Sequence, residues 1–200
     1  MSHPTLHLDT PFAHGLQRLL QSLEERAELA TPVEVFLAGG MAVHLYTGKR
    51  VTHDVDVEFG ARILIPTDLV VDVDTDAERA QPLFLDANYN PMFSLLHPDY
   101  QEDAITVPLR LKALRLRVLA PVDLAVSKMA RLADVDREDI LDLVRLGLTT
   151  SSAIAERAAE ALKGYVGNTR FVEANVRDAV AAARALGSAA GRRRPAGPRR

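Results

Sequence analysis

The spacing of apolar residues along the first part of the chain predicts a helix, a strand and a second helix, in that order. Apolar positions recur at helical intervals over residues 12–29, and Pro32 closes this segment. The apolar run from Val33 to Ala38 predicts a short buried strand that leads directly into Gly39-Gly40. Residues 41–46 are compatible with a compact helix. The glycine pair therefore lies at a turn between a strand and a helix.

The next segment alternates between apolar and acidic residues, as a half-buried strand does. From Val51 to Phe59, one face would carry Val55, Val57 and Phe59, and the other Asp54, Asp56 and Glu58. Side chains two residues apart on a strand point the same way, with Cα atoms about 7 Å apart. Asp54 and Asp56 could therefore converge on a divalent cation.

The Asp-Val-Asp triplet alone is not specific, because it recurs at 72–74 and at 134–136. Only the triplet at 54–56 follows a buried strand, a Gly-Gly turn and a short helix. That arrangement lets backbone N–H groups approach a phosphate with no Cβ in the way. Phosphates held there would need Mg²⁺ to offset their charge, and Asp54 and Asp56 could hold the ion.

The rest of the chain changes character at Pro121. Before it, short apolar runs separated by Pro, Asp and Asn predict strands at 69–73, 83–85, 92–96, 105–109 and 114–119. After it, a helix beginning at Pro121 and further helices at about 137–146, 151–163 and 168–186 are predicted, with Gly187 closing the last. We therefore expect an α/β core over 1–119, a helical subdomain over 120–187 and a disordered Arg-rich tail over 188–200.

Composition narrows the class of protein. The 200 residues are 48% hydrophobic and 26% charged, as in a globular chain, and include no Cys. A thiol nucleophile, a thiolate zinc site and a disulfide scaffold are therefore excluded. The first residues do not resemble a signal peptide, and no apolar run approaches the roughly 18 residues of a membrane span. We expect a cytoplasmic protein with no membrane partner.

The net charge of −3 conceals an uneven distribution. Five arginines lie in the last ten residues, whereas twelve acidic residues and only two arginines lie between Asp54 and Asp103. Such an acidic concentration either repels itself or binds cations.

The glycine and aspartate segments together resemble a family signature. Residues 37–46, LAGGMAVHLY, followed by residues 50–56, RVTHDVD, resemble the signature of the minimal nucleotidyltransferases of the DNA-polymerase-β superfamily. The resemblance is nearest to the AbiEii-like and MenT-like branch, which supplies toxins of bacterial toxin–antitoxin pairs. The shared pattern is Gly-Gly, Ala, an apolar helix, and Arg-x-Ser/Thr-x-Asp-x-Asp.

A second stretch resembles a later motif of the same branch. Residues 119–131, LAPVDLAVSKMAR, place Lys128 and Arg131 three apart on one predicted helix face, and Asp136 and Asp139 share the face of another. Two interpretations are open for Lys128. It contacts the nucleotide, which we favour because both motifs occur in order, or it forms a structural ion pair with Asp136 or Asp139.

The resemblance implies an α+β fold of the polymerase-β-like nucleotidyltransferase type, a mixed sheet flanked by helices with a C-terminal helical bundle. It implies a Mg²⁺-dependent nucleotidyltransferase that moves a nucleoside monophosphate from a nucleoside triphosphate to an acceptor hydroxyl. The acceptor would be a tRNA 3′ end or a partner protein, and the role that of a toxin with a cognate antitoxin. The implied roles are phosphate cradling by Gly39 and Gly40, metal binding by Asp54 and Asp56, phosphate neutralisation by Lys128, orientation by Asp136 or Asp139, and nucleotide or strand support by Arg50, Thr52 and Arg131.

Two departures from the family pattern keep an alternative open. Many relatives have Ser where this chain has Gly40, which removes a hydroxyl. The superfamily usually adds a third carboxylate from a later strand, and the candidates for it are Asp72, Asp74, Asp99 and Asp103. The alternative function is a degenerate nucleotidyltransferase fold that binds a partner or a nucleotide without chemistry.

Other polar clusters are less informative. The six histidines are scattered, and His44, on an apolar helix, is expected in the core. The basic stretch Arg110, Lys112, Arg115 and Arg117 predicts either a phosphate-contacting groove for an RNA acceptor or a solvated edge strand. Because the chain has few aromatic residues and no Trp, only limited base stacking is expected.

Overall fold

The computed structural model describes residues 4–29, 31–75, 80–86 and 88–192, excluding the side chains of 189–192. The chain divides into two compact units. The first comprises Met1–Pro91 and Asp99–Ala120, and the second comprises Met92–Pro98 and Pro121–Arg200. The division near Pro121 coincides with the change from strands to helices.

The first unit is an α+β structure. Its described residues form α1 (Pro11–Ala27), β1 (Val33–Leu37), α2 (Gly39–Thr47), β2 (Asp54–Val55), β3 (Val57–Phe59), β4 (Val70–Val73), β5 (Gln81–Leu85), β6 (Ile105–Thr106) and β7 (Leu114–Val118). One mixed sheet has the strand order β3-β1-β7-β6, and a second has the order β2-β5-β4. In the first, β1 is antiparallel to β3 and parallel to β7. In the second, β5 is parallel to β2 and antiparallel to β4.

Helix α1 supplies much of the core of this unit. Its four leucines at positions 16, 19, 20 and 23 are fully buried, and burying each leucine stabilises the fold by about 1.5–3 kcal/mol. Gly15 packs closely against β4, because a Cβ there would lie 2.5 Å from a methyl carbon of Val73. The helix begins at a proline and is capped by Thr10, whose hydroxyl accepts from the Ala13 N–H at 3.1 Å.

Glu24 connects α1 to the start of β7. Its buried carboxylate accepts backbone N–H bonds from Lys112 at 2.9 Å, Ala113 at 2.6 Å and Leu114 at 2.5 Å. A buried carboxylate is costly unless its oxygens receive hydrogen bonds, and three donors meet that requirement here. The position of β7 is thereby set by a residue of α1.

The second unit is helical. It contains α3 (Pro121–Ser127), α4 (Asp134–Arg145), α5 (Ser151–Gly164) and α6 (Thr169–Arg192). Helices α3 and α5 are joined by a bidentate ion pair in which the Arg157 guanidinium donates to the buried Asp123 carboxylate at 2.7 and 2.8 Å. The Asn175 amide of α6 donates to the Met129 carbonyl at 2.9 Å. No helix in the described part of the chain is both long and apolar enough to cross a bilayer.

Most of the predicted elements are present, and the fold class is confirmed, but one predicted strand is absent, and β6 and α6 end at other residues than predicted. The strand predicted at 92–96 is replaced by a single 3₁₀ turn at Pro91–Phe93, in which Met92 and Phe93 are largely exposed. Pro91 has no N–H for a ladder, and its fixed φ suits a helical turn. Strand β6 ends at Thr106 instead of residue 109 because Pro108 likewise lacks a donor.

The sequence predicts that the last helix ends before Gly187, but α6 continues to Arg192. An internal glycine weakens a helix by only about 1 kcal/mol relative to alanine, and most of the neighbouring residues are the strong helix formers Ala, Leu and Arg. The rest of the predicted tail, residues 193–200, lies outside the described residues.

Candidate functional site

The predicted glycine turn forms the beginning of helix α2. Strand β1 ends at Leu37, Ala38 is the extended N-cap residue, and the helix starts at Gly39, whose φ is +61°. The Ala38 N–H donates to the Asp56 carbonyl at 2.9 Å. The turn is therefore attached by its backbone to the segment that carries the paired aspartates.

Gly39 is required by the position of Asp56. A Cβ at Gly39 would lie 1.6 Å from Asp56 Oδ2, so any side chain there would overlap the carboxylate. The carboxylate thus packs against the first residue of α2, at the positive end of the helix dipole, where negative charge is favoured. The glycine admits a protein carboxylate, in addition to the phosphate approach that the sequence predicts.

Gly40 packs against Thr52 in the same way. A Cβ at Gly40 would lie 2.8 Å from Thr52 Oγ1, so the threonine hydroxyl stands where a serine side chain at position 40 would begin. That buried hydroxyl donates to Asp54 Oδ1 at 2.7 Å. Thr52 therefore fills the space beside Gly40 and holds the first aspartate.

The two aspartates lie where the chain passes from one sheet to the other. Strand β2 ends at Val55 and β3 begins at Val57, so the single strand predicted over 51–59 is two short strands that pair with different partners. Val55 and Val57 are buried, Asp54 is exposed and Asp56 is partly buried, as the alternation predicts. Within the described residues, no three His, Cys, Asp or Glu side chains form a metal-binding group.

Strand β5 brings a further acidic residue beside this pair. Asp54 is in register with Phe84 and Val55 with Leu85, and the Asp86 N–H donates to the Val55 carbonyl at 3.1 Å. Continuing that parallel register sets the backbone of Asp86 next to that of Asp56, although the side chains of Asp54, Asp56 and Asp86 do not form a metal-binding group. The Asp86 side chain accepts from the Asn88 N–H at 2.8 Å.

Asp86 was not among the candidates for a third carboxylate drawn from the sequence. Of those candidates, Asp72 lies on β4, one strand further from Asp54, and opposite Pro82. The available signal was the short apolar run 83–85 that ends in an acidic residue. Its use required the pairing of β5 with β2, which joins segments about thirty residues apart and cannot be read from local spacing.

His44 and Arg50 brace the loop before the aspartates. His44 Nδ1 lies 2.6 Å from the Arg50 carbonyl and must donate to it, which leaves Nε2 to accept from the Thr10 hydroxyl at 2.7 Å. Burial lowers the pKa of His44 below its usual value, so the neutral ring is favoured. His44 is a core residue, as predicted. The Arg50 guanidinium donates to the Val51 carbonyl, within the same loop.

The second predicted group lies in the helical unit. Lys128 and Arg131 are in the turn that follows α3, not on a helix face, so that prediction is wrong. Helix α3 ends at Ser127, and the turn closes through the Leu132 N–H donating to the Lys128 carbonyl at 2.9 Å. Both side chains nevertheless reach acidic residues of α4: Lys128 contacts Asp136 and Asp139, and Arg131 contacts Asp136.

Lys128 is buried and forms an ion pair with that acidic pair. Its Nζ lies 2.8 Å from Asp139 Oδ2 and 3.8 Å from Asp136 Oδ1. Asp136 also accepts two bonds of 2.9 Å from the Arg131 guanidinium and one of 2.9 Å from the Ala133 N–H at the start of α4. The structural ion pair considered as an alternative is therefore present, and the nucleotide contact of Lys128 stays a prediction.

Residues 14–170 match the family model described as "Nucleotidyltransferase of unknown function (DUF6036)". The chain belongs to this family. The match includes both predicted groups of residues, so the nucleotidyltransferase part of the sequence resemblance is confirmed. The narrower likeness to the AbiEii-like and MenT-like branch stays a prediction.

The chain is similar to a solved structure described as an antigenic nucleotidyltransferase-like protein from Paracoccidioides brasiliensis, with 14% identity and a TM-score of 0.47. That similarity covers 88% of this chain and 92% of the other. No curated protein matches the chain.

In this family member the predicted site residues fall into two clusters, one in each unit. The first unit brings together Gly39, Gly40, Thr52, Asp54 and Asp56, with Arg50 in the adjoining loop. The second unit brings together Lys128, Arg131, Asp136 and Asp139. Each cluster is held by direct contacts among its own members.

The basic stretch is not an edge strand. Strand β7 lies between β1 and β6, so the interpretation of Arg115 and Arg117 as guards of a free edge is wrong. The Arg117 guanidinium donates to the carbonyls of Ala104 and Glu102 and lies 5.8 Å from the Phe36 ring centroid. These bonds give Arg117 a structural role, and the RNA groove stays a prediction.

Proposed function

We propose that the chain is a Mg²⁺-dependent nucleotidyltransferase that moves a nucleoside monophosphate from a nucleoside triphosphate to an acceptor hydroxyl and releases pyrophosphate. The observation that carries this proposal is the contact between Gly39 and Asp56. It sets a carboxylate against the N-terminus of a helix that can also bind phosphate.

The donor set fits the metal. Asp54 and Asp56 offer hard carboxylate oxygens from the same short segment, and Mg²⁺ is usually held by one or two carboxylates together with phosphate oxygens and water. Thr52 fixes the Asp54 carboxylate by its 2.7 Å bond. When bound, Mg²⁺ would offset phosphate charge and support the displacement at the α-phosphate.

The residues of the chain supply positioning and electrostatic stabilisation. The first N–H groups of α2 have no partners within the helix and would donate to phosphate oxygens beside Gly39 and Gly40. Asp86, beside Asp56 in the continued register, is our candidate to accept the proton of the acceptor hydroxyl. Phosphoryl transfer depends on such placement more than on covalent chemistry.

From the sequence resemblance we assign Lys128 to the neutralisation of phosphate charge, with Asp139 holding its ammonium group at 2.8 Å. Arg131 and Asp136 would support this arrangement through their paired bonds. We further propose a toxin role, a tRNA 3′ end or a partner protein as acceptor, and a cognate antitoxin. These assignments rest on the resemblance to the AbiEii-like and MenT-like branch.

The test is a transfer assay. Purified protein is incubated with Mg²⁺ and each α-labelled nucleoside triphosphate, with total RNA or the product of the neighbouring gene as acceptor. We expect label to enter one acceptor, and the Asp54→Asn and Asp56→Asn variants to lose at least about a hundredfold in rate, as metal-held phosphoryl transfer requires. Normal nucleotide binding without transfer to any acceptor would contradict the proposal.

The second candidate function is a binding module without chemistry. It is favoured by one observation, that the described residues bring no third metal-binding side chain to Asp54 and Asp56. Growth of cells that express the protein separates the two candidates. Arrest that is relieved by Asp56→Ala, in a variant that still folds, supports the transferase, whereas arrest that persists supports the binding module.

A further inference from the structure

The outer face of the sheet β2-β5-β4 carries an exposed aromatic residue beside the aspartates. Asp54, Phe84 and Val70 are in register with one another across the three strands, and residues paired in this way project from the same face. Phe84 is 40% exposed and Val70 is 52% exposed. Adjacent strands lie about 4.8 Å apart, so the side chains of Phe84 and Asp54 start from neighbouring positions on this face.

The opposite face of this sheet carries the residues that pack in the core, so Phe84 takes no part in core packing. Val55, Leu83, Leu85 and Val73 alternate with the outer residues and are buried. The backbone of Phe84 is fixed, because its N–H donates to the His53 carbonyl at 3.0 Å. The exposed Phe84 ring therefore lacks the stabilisation that burial would give it, and its strand is held in place beside the candidate metal site.

The charges around Phe84 restrict what it could contact. Asp54 and Asp72 stand on the same exposed face, and Asp86 follows at the end of β5. A nucleic-acid strand lying along this face would bring a phosphate to it at every residue and would be repelled, whereas an acceptor presents only its terminal hydroxyl. A single nucleotide differs, because its phosphates are delivered to the metal-binding carboxylates and its base carries no charge.

We propose that Phe84 is the stacking platform for the base of the nucleoside triphosphate whose phosphates are held at Asp54 and Asp56. This inference rests on the proposed function and names a binding residue that the sequence pattern did not indicate. Stacking on an aromatic ring tolerates every base, because each base has a π-face. Phe84 therefore contributes affinity and position, while selection among bases belongs to other groups.

The absence of Trp from the chain allows a direct test. In the Phe84→Trp variant the new indole is the only one in the protein, and a stacked base quenches its fluorescence. Each of the four nucleoside triphosphates is titrated with Mg²⁺, and Mg²⁺-tripolyphosphate serves as the probe that lacks a base. Val70→Trp is the matched control, since it places an indole on the same face one strand further from Asp54.

We expect strong quenching of the Phe84→Trp variant by nucleoside triphosphates, little by tripolyphosphate, and little of the Val70→Trp variant by either. In calorimetric titrations, Phe84→Ala should weaken nucleoside triphosphate binding by about 5- to 150-fold, the equivalent of 1–3 kcal/mol of stacking. Its affinity for tripolyphosphate should match that of the wild type. Equal quenching at the two positions, or unchanged nucleotide affinity in Phe84→Ala, overturns the inference.

Two further arms separate this inference from the proposed function. If Asp54→Asn and Asp56→Asn weaken tripolyphosphate binding while Phe84→Ala leaves nucleotide binding unchanged, only the stacking inference fails. If the aspartate variants bind tripolyphosphate as the wild type does, or if the wild type binds neither ligand, the proposed function fails as well. If RNA quenches the Phe84→Trp variant and nucleoside triphosphates do not, the ring contacts the acceptor and the inference is contradicted.

Discussion

Gly39 lies so close to Asp56 that one added methyl group would overlap the carboxylate, at 1.6 Å from Oδ2. The glycine has a φ of +61°, so its backbone conformation also disfavours a side chain. Two constraints of different origin therefore act at the same residue. They connect the start of α2 to the segment that we propose binds the metal.

Replacement of Gly39 by alanine should therefore be more harmful than its backbone conformation alone requires. Gly147 provides the control, because its φ is +70° and no described atom lies within 4 Å of the Cβ it would acquire. We expect Gly39→Ala to lower the free energy of unfolding by about 1–3 kcal/mol more than Gly147→Ala, owing to overpacking against Asp56. Urea denaturation measures both, and equal losses would contradict the contact.

The same contact can be isolated by a double-mutant cycle. In an Asp56→Ala background the obstructing carboxylate is gone, so Gly39→Ala should cost only what Gly147→Ala costs. A coupling energy near zero between positions 39 and 56 would show that the two residues do not meet.

Thr52 should act through its hydroxyl. Thr52→Val keeps the shape of the side chain but removes the donor to Asp54 Oδ1, whereas Thr52→Ser keeps the donor. We expect Mg²⁺-dependent nucleotide binding to weaken about tenfold in the valine variant, since a hydrogen bond to a charged group contributes about 1.5–3 kcal/mol. The serine variant should stay within a few-fold of wild type. Calorimetric titration distinguishes them, and similar affinities would exclude this role.

Lys128 should be needed for folding as well as for any contact with phosphate. Lys128→Met removes the ammonium group that lies 2.8 Å from the buried Asp139 carboxylate, and breaking a buried pair from one side destabilises by about 3–5 kcal/mol. The double variant Lys128→Met/Asp139→Leu removes both charges and should recover most of this loss. Lys163→Met is the control, because the Lys163–Glu160 pair is exposed and should contribute little. Thermal unfolding of the four proteins tests the pattern.

Activity of the double variant then separates structure from function. If Lys128 only holds α4 in place, the Lys128→Met/Asp139→Leu protein, once its stability is recovered, should transfer nucleotide as the wild type does. We expect instead that stability returns while transfer remains lost.

His44 should make the stability depend on pH. Because burial lowers its pKa below the usual value near 6.5, the unfolded chain binds a proton more readily than the folded one. The stability that neutral His44 contributes is thus complete above about pH 6.5. It is lost as the pH falls through the pKa of His44 in the folded state, by at most about 1.4 kcal/mol per pH unit. Urea denaturation between pH 7.5 and 5 should show this decline in the wild type. The decline should be weaker in His44→Gln, and an unaltered slope would contradict the assignment.

The local part of the site could be predicted from the sequence. Gly39, Gly40, Thr52, Asp54 and Asp56 lie within about twenty residues, and a strand, a turn and a helix in succession predict that the glycines and the aspartates meet in one site. Spacing carries that information because neighbouring elements are also neighbours in space.

The non-local part could not be predicted. Phe84 and Asp86 reach the aspartates through the pairing of β5 with β2, and that register depends on which strands meet. The sequence predicts Lys128 on a helix because Pro121 suits a first helical position and the apolar residues Leu124, Val126, Met129 and Leu132 follow it, and all four are buried. Those residues are buried although α3 ends at Ser127, so burial continues through a turn and imitates a longer helix.

The parallel pairing of β1 with β7 has a consequence for how the protein folds. Strand β1 ends at Leu37 and β7 begins at Leu114. Every residue of the glycine and aspartate cluster therefore lies in the long connection between two strands that are hydrogen-bonded to each other. Closing such a long loop is entropically costly, and contacts between distant segments form slowly. During synthesis, Asp54 and Asp56 leave the ribosome well before β7, so the pairing of β1 with β7 forms only later. We therefore expect nucleotide binding to be acquired late, after the chain has been made through β7.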